Sequence, residues 1–96
     1  MNRELTIARL RELAASLGET AVGSQWYLFG SVNRDEADAN DIDLLIVCYD
    51  NFQADAIRKS IDPDCLELPL HLAFMTIEEE TEISAVQMQQ GWRVFP

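Results

Sequence analysis

Two short apolar stretches in this chain stop at polar residues in a way that few folds accommodate. Leu28-Phe29 runs directly into Gly30-Ser31, and nine residues later Asp41-Ile42-Asp43 opens the run Leu44-Leu45-Ile46-Val47. Aromatic and aliphatic residues over Gln25 to Phe29, and again over Ile42 to Tyr49, predict two strands, the first closed by a tight turn at Gly30-Ser31. Between them a brief helical turn over Val32 to Ala37 and a polar, acidic loop or short helix over Asp35 to Asn40 are expected. Residues two apart on a strand project to the same face, so Asp41 and Asp43 stand side by side while Ile42 and Leu44 enter the core.

Two adjacent carboxylates repel each other unless a cation lies between them. Oxygen ligands of this kind suit Mg²⁺ (or Mn²⁺), which keeps some of its waters and takes further ligands from substrate phosphates. Gly30 lets backbone N–H groups approach a ligand closely, and Ser31 adds a hydroxyl at a helix start, so phosphates have a seat beside the carboxylates. Metal at Asp41/Asp43 and phosphates at Gly30-Ser31 together describe attack at an α-phosphorus with pyrophosphate leaving.

The remaining segments supply the frame. Leu5, Ala8, Leu10, Leu13, Ala14 and Leu17 recur at helical spacing between an Asn2 cap and Gly18. Asp50 or Asn51 caps a second helix over about Phe52 to Ile61, which Asp62-Pro63-Asp64 ends. Leu66, Leu68, Leu70, Leu72 and Phe74 alternate with Glu67, Pro69, His71 and Ala73, the period of a strand with one buried face, and Pro69 makes it an edge strand or a late-starting one. Thr76 and Glu79 form a capping-box pair for a last helix to about Gln90. The apolar tail from Gly91 to Pro96 is either an edge segment or part of an interface. The order helix, strand, strand, helix, strand, helix predicts an α+β fold, a small mixed α/β-type sheet flanked by helices, as one domain over residues 1–96.

Composition narrows the partners. Seventeen acidic against seven basic residues give a formal charge of −10, which repels polyanions and leaves no basic stripe for polymeric nucleic acid. ATP stays open because a bound divalent cation reverses the local field. The segment MNRELTIARLREL has charges throughout, unlike a signal peptide, and no run approaches membrane-spanning length, so a cytoplasmic chain with no membrane partner is expected. Cys48 and Cys65 form no CxxC motif and read as buried free thiols. Arg3, Arg9, Arg11, Arg58 and Lys59 read as ordinary surface charges, and Trp26, Tyr27 and Phe29 as core.

The Phe29-Gly30-Ser31 and Asp41-Ile42-Asp43 motifs, in this order and spacing, resemble the minimal nucleotidyltransferase members of the DNA polymerase beta-like nucleotidyltransferase superfamily. The resemblance covers most of the chain. It implies that Gly30 and Ser31 bind nucleotide phosphates and that Asp41 and Asp43 bind the catalytic metals. It also implies a HEPN-type protein as partner, because minimal members are often paired with such proteins as antitoxins. Two positions depart from the family pattern. Where many minimal members carry two arginines after Gly-Ser, this chain has Val32 and Arg34, which leaves Arg34 as the phosphate-contacting candidate; an ion pair with Asp35, Glu36 or Asp38 competes for it. Where the family places a third carboxylate on the third strand, this chain has His71, a poorer Mg²⁺ ligand that can serve as a general base or as a ligand for a softer metal, although a lone strand histidine more often has a structural role. Glu67 shares the strand face in this reading but lies roughly 13 Å away at strand rise.

Two functions follow. One is an enzyme transferring a nucleoside monophosphate from ATP or another NTP to a hydroxyl of a protein or small molecule, with Asp41, Asp43 and His71 as its catalytic residues. The other is a catalytically impaired nucleotide-binding, antitoxin or regulatory subunit acting through a protein partner. The sequence leaves open whether the chain forms a homo-oligomer.

Overall fold

In a computed structural model of the protein, residues 2–88 and 90–96 are described. The side chains of Ala85 and Met88 are excepted. The first helix, α1, spans Arg3–Ser16; Asn2 caps it, its side chain accepting from the Leu5 N–H at 2.7 Å. Its buried stripe is Thr6, Ile7, Leu10 and Ala14, which differs from the expected one. At 100° per residue, Leu5 and Ala8 lie about 140° and 160° from Leu10, on the solvent side. Thr6 belongs to the stripe because its hydroxyl donates back to the Asn2 carbonyl at 2.8 Å, so its burial costs no hydrogen bond.

A 3₁₀ turn over Gly18–Ala21 leads to β1, Gln25–Phe29. A short helix, α2, takes Gly30–Asn33, and β2 takes Ile42–Cys48. The two strands pair antiparallel from Gln25↔Val47 to Phe29↔Asp43. Helix α3, Asn51–Ser60, is capped by Asp50, whose carboxylate accepts from the Gln53 N–H at 2.8 Å. It carries the chain over to β3, Leu70–Thr76, which runs parallel to β2 from Ile42↔Leu70 to Cys48↔Thr76. The strand starts later than the alternation from Leu66 implied: residues 66–69 precede it, so Glu67 has no place on the strand face of His71. Pro69 stands at this boundary, unable to donate to a ladder, and β3 is an edge strand.

The Thr76–Glu79 capping box is formed in both directions and starts α4, Ile77–Ile83. The helix does not continue to Gln90 as one piece. Ser84 turns left-handed at φ 51°, its N–H donating to the Glu80 carbonyl at 2.7 Å, and α5 follows over Ala85–Met88. The tail folds back as β4, Trp92–Phe95, antiparallel to β1, giving a mixed sheet in the order β3-β2-β1-β4. Two arginines read as surface charges anchor it: Arg11 Nε donates to the Val94 carbonyl at 2.9 Å, and the Arg3 guanidinium lies 4.8 Å over the Trp92 ring.

The two sheet faces are covered unequally. Helices α1 and α3 pack on one face over Trp26, Leu28, Ile42, Leu44, Ile46 and Cys48, the main core. On the other face a smaller cluster of Phe29, Leu45 and Val47 is flanked by Tyr27, Met75 and Val86. Lighter cover on this second face leaves a cleft where β1 and β2 bring Gly30 and Asp43 together. No helix among the described residues is long and apolar enough to cross a membrane.

Candidate functional site

The register of three strands assembles the site. Phe29 lies opposite Asp43 across β1 and β2, and Asp43 lies opposite His71 across β2 and β3. Phe29, Asp43 and His71 therefore form a row across the sheet; Gly30, next after Phe29, lies against the Asp43 carboxylate, and Asp41 joins from two residues before Asp43. His71 Nδ1 stands 3.5 Å from Asp41 Oδ2 and 3.4 Å from Asp43 Oδ1. One ligating atom from each of the three side chains lies within 4.8 Å of the others. All three remain open to a ligand, with 34%, 42% and 63% of the Asp41, Asp43 and His71 side chains exposed.

Gly30 is fixed by two constraints at once. Its φ of +74° is a conformation that side-chain-bearing residues rarely adopt, and a Cβ there would run into the Asp43 carboxylate. The glycine thus lets the turn close directly against the acid. Backbone N–H groups in the first turn of α2 have no intrahelical partner, and no side chain caps them.

Beside the row opens a cleft of about 470 Å³, within the range of about 300–1,000 Å³ usual for small-molecule sites. Gly30, Arg34, Asp43 and His71 line its polar side; Phe29, Leu45, Ala73 and Met75 contribute its apolar side. Ser31, half-buried, follows Gly30 without lining this cleft. Arg34 lines the cleft and also makes an ion pair, its Nε 2.8 Å from Glu36 Oε2, so Glu36 is the acid it meets among the three expected competitors.

Phe29 is core, as expected, and also forms part of the cleft's apolar side, whose other members Leu45, Ala73 and Met75 the motifs do not single out. The signal was present: continuing the two-residue period from Asp43 reaches Leu45, and from His71 it reaches Ala73 and Met75.

The donor set fits a divalent cation. Two carboxylates that only accept hydrogen bonds and an imidazole nitrogen converge from one face, and their mutual distances require little movement to share an ion. The thiols lie apart from this chemistry. Cys48 points to the helix-covered face of β2, where burial, followed by Asp50, pushes its thiol up to about 11. Cys65 is exposed rather than buried, because its segment precedes β3 on the surface; residual burial, then Asp62, raises its thiol too. Neither forms a ready thiolate nucleophile at neutral pH.

The family described as Nucleotidyltransferase domain matches residues 7–90, a span that includes Gly30, Ser31, Asp41, Asp43 and His71. No curated protein and no solved structure matches the chain significantly. With most of its length matched, and with a small mixed sheet bearing the Gly-Ser turn beside the Asp-x-Asp strand, the chain belongs to the nucleotidyltransferase domain family.

Proposed function

We propose that residues 1–96 act as one unit transferring a nucleoside monophosphate from ATP, or another NTP, to a hydroxyl of a protein or small molecule. The observation that carries this reading is the convergence of Asp41, Asp43 and His71 within 4.8 Å, with Asp43, His71 and Gly30 in the wall of the cleft. In this reading Asp41 and Asp43 hold a divalent cation, Mg²⁺ or Mn²⁺, with His71 at the third position. When bound, the cation supplies positive charge to offset the triphosphate and the charge that develops during transfer.

The chain's own groups do the rest. Gly30 keeps the turn close enough for backbone N–H groups to donate to phosphate oxygens, and the Ser31 hydroxyl adds a donor next to them. Arg34, already at the cleft, exchanges Glu36 for a phosphate when nucleotide enters, which is inexpensive for an exposed ion pair. Phe29, Leu45, Ala73 and Met75 exclude water from the apolar side of the cleft and give the base or acceptor a surface to lie on. Where Asp41 and Asp43 hold the cation without it, His71 is instead free to accept a proton from an acceptor hydroxyl, a role its exposure permits.

A second reading is favoured by His71 itself. A neutral imidazole contributes no charge toward a second divalent ion, so a chain with this residue suits nucleotide binding in an antitoxin or regulatory subunit, with a partner such as a HEPN protein. Incubation with labelled ATP, Mg²⁺ and candidate protein and small-molecule acceptors separates the two. Transfer that disappears in Asp41→Asn/Asp43→Asn is the result expected of the enzyme. Nucleotide binding without transfer to any acceptor, improved toward transfer by His71→Asp, is the result expected of the subunit.

A further inference from the structure

We propose that Asp41, Asp43 and His71 form a single-ion site that selects a transition cation of the Zn²⁺ or Co²⁺ class over Mg²⁺ when no nucleotide is bound. The inference rests on reading the cluster as a metal site and goes beyond it by naming the class of ion. Carboxylates alone suit Mg²⁺, Ca²⁺ and Mn²⁺, whereas an imidazole nitrogen in the set moves preference toward borderline ions, which bind nitrogen far better than Mg²⁺ does. Mg²⁺ also gives up its waters reluctantly, and a single imidazole offers little in exchange.

The geometry permits one shared ion: His71 Nδ1 lies 3.5 and 3.4 Å from the Asp41 and Asp43 carboxylates, and one donor atom from each of the three side chains lies within 4.8 Å of the others. Three protein ligands leave a fourth position to water or a phosphate oxygen, the arrangement of catalytic rather than closed structural zinc sites. The exposure of all three side chains keeps that position reachable from the cleft.

His71 is the chain's one histidine, so its imidazole resonances report on this site without assignment. The test titrates Zn²⁺ and, separately, Mg²⁺ into the full chain without nucleotide, in a Cys65→Ser background that removes the exposed thiol. Imidazole nitrogen signals are followed by NMR, and affinities are measured by calorimetry. The expected result is an imidazole shift saturating at one equivalent of Zn²⁺ and absent with Mg²⁺. Zn²⁺ should also bind at least about 100-fold more tightly than Mg²⁺, a ratio that His71→Asp narrows at least about tenfold.

An imidazole unmoved by Zn²⁺, or the same ratio in His71→Asp as in the parent, overturns the proposal. The NMR arm uses the parent site and does not depend on a variant folding. If Mg²⁺ binds through Asp41 and Asp43 while His71 ignores Zn²⁺, the selectivity is wrong and the metal site stands. If neither ion depends on Asp41 and Asp43, both are wrong.

Discussion

Gly30 carries the strictest single-residue demand, because its backbone turns at φ +74° against the Asp43 carboxylate. In Gly30→Ala the new methyl must displace that carboxylate or the turn must open. Strain in this backbone region costs about 1–3 kcal/mol. The variant should lose stability of that order in chemical denaturation and bind Mg·ATP more weakly; a variant equal to the parent in both would show that neither constraint holds. The demand was half legible in the sequence. A Gly-Ser turn after an apolar strand announces a close approach, but that the group approached is Asp43 follows only from the Phe29↔Asp43 register. The convergence of Asp41, Asp43 and His71 was legible because a strand's period is fixed at two. The partners of Arg3 and Arg11 were not, since both anchor a β4 that lies more than eighty residues away along the chain.

At the scale of elements, Gln53 joins parts that hydrophobic burial alone would leave free to slide. Its buried side-chain amide donates to the Val22 and Thr20 carbonyls at 2.8 and 3.2 Å and accepts from the Tyr49 N–H at 3.0 Å. The start of α3 is thereby tied to the end of β2 and to the 3₁₀ turn. Gln53→Leu keeps the volume and strands three backbone groups, so thermal or urea denaturation should show a loss of about 1–3 kcal/mol; an unchanged midpoint would mean that water replaces the amide. Nothing in sequence periodicity flags a buried glutamine, because its value lies in backbone groups distant along the chain. Local signals served better: the Asn2, Asp50 and Thr76 caps all formed where their side chains allow. They failed where local and tertiary demands differ. Leu66 and Leu68 alternate like a strand yet precede β3, and the last helix breaks at Ser84, which has no strong breaker signal of its own.

Across the whole molecule, one sheet face is committed to the core under α1 and α3, and the other is more lightly covered. The net charge of −10 acts on every approach to that open face. In the proposed reading a nucleotide arriving with its cation is admitted, whereas a nucleic-acid polymer would gain no counterion release from so acidic a chain. Gel shifts at low salt with generic DNA and RNA oligonucleotides should therefore show no complex in the micromolar range; tight, salt-sensitive binding would restore a polymer as substrate. The central claim is that Asp41 and Asp43 hold the cation through which nucleotide binds. Calorimetric titration of the parent and of Asp41→Asn/Asp43→Asn with ATP in the presence of Mg²⁺ tests it most directly. The expected result is saturable, Mg²⁺-dependent binding in the parent and its loss in a double variant that keeps the parent's circular dichroism. A folded double variant that binds Mg·ATP as the parent does would contradict the account.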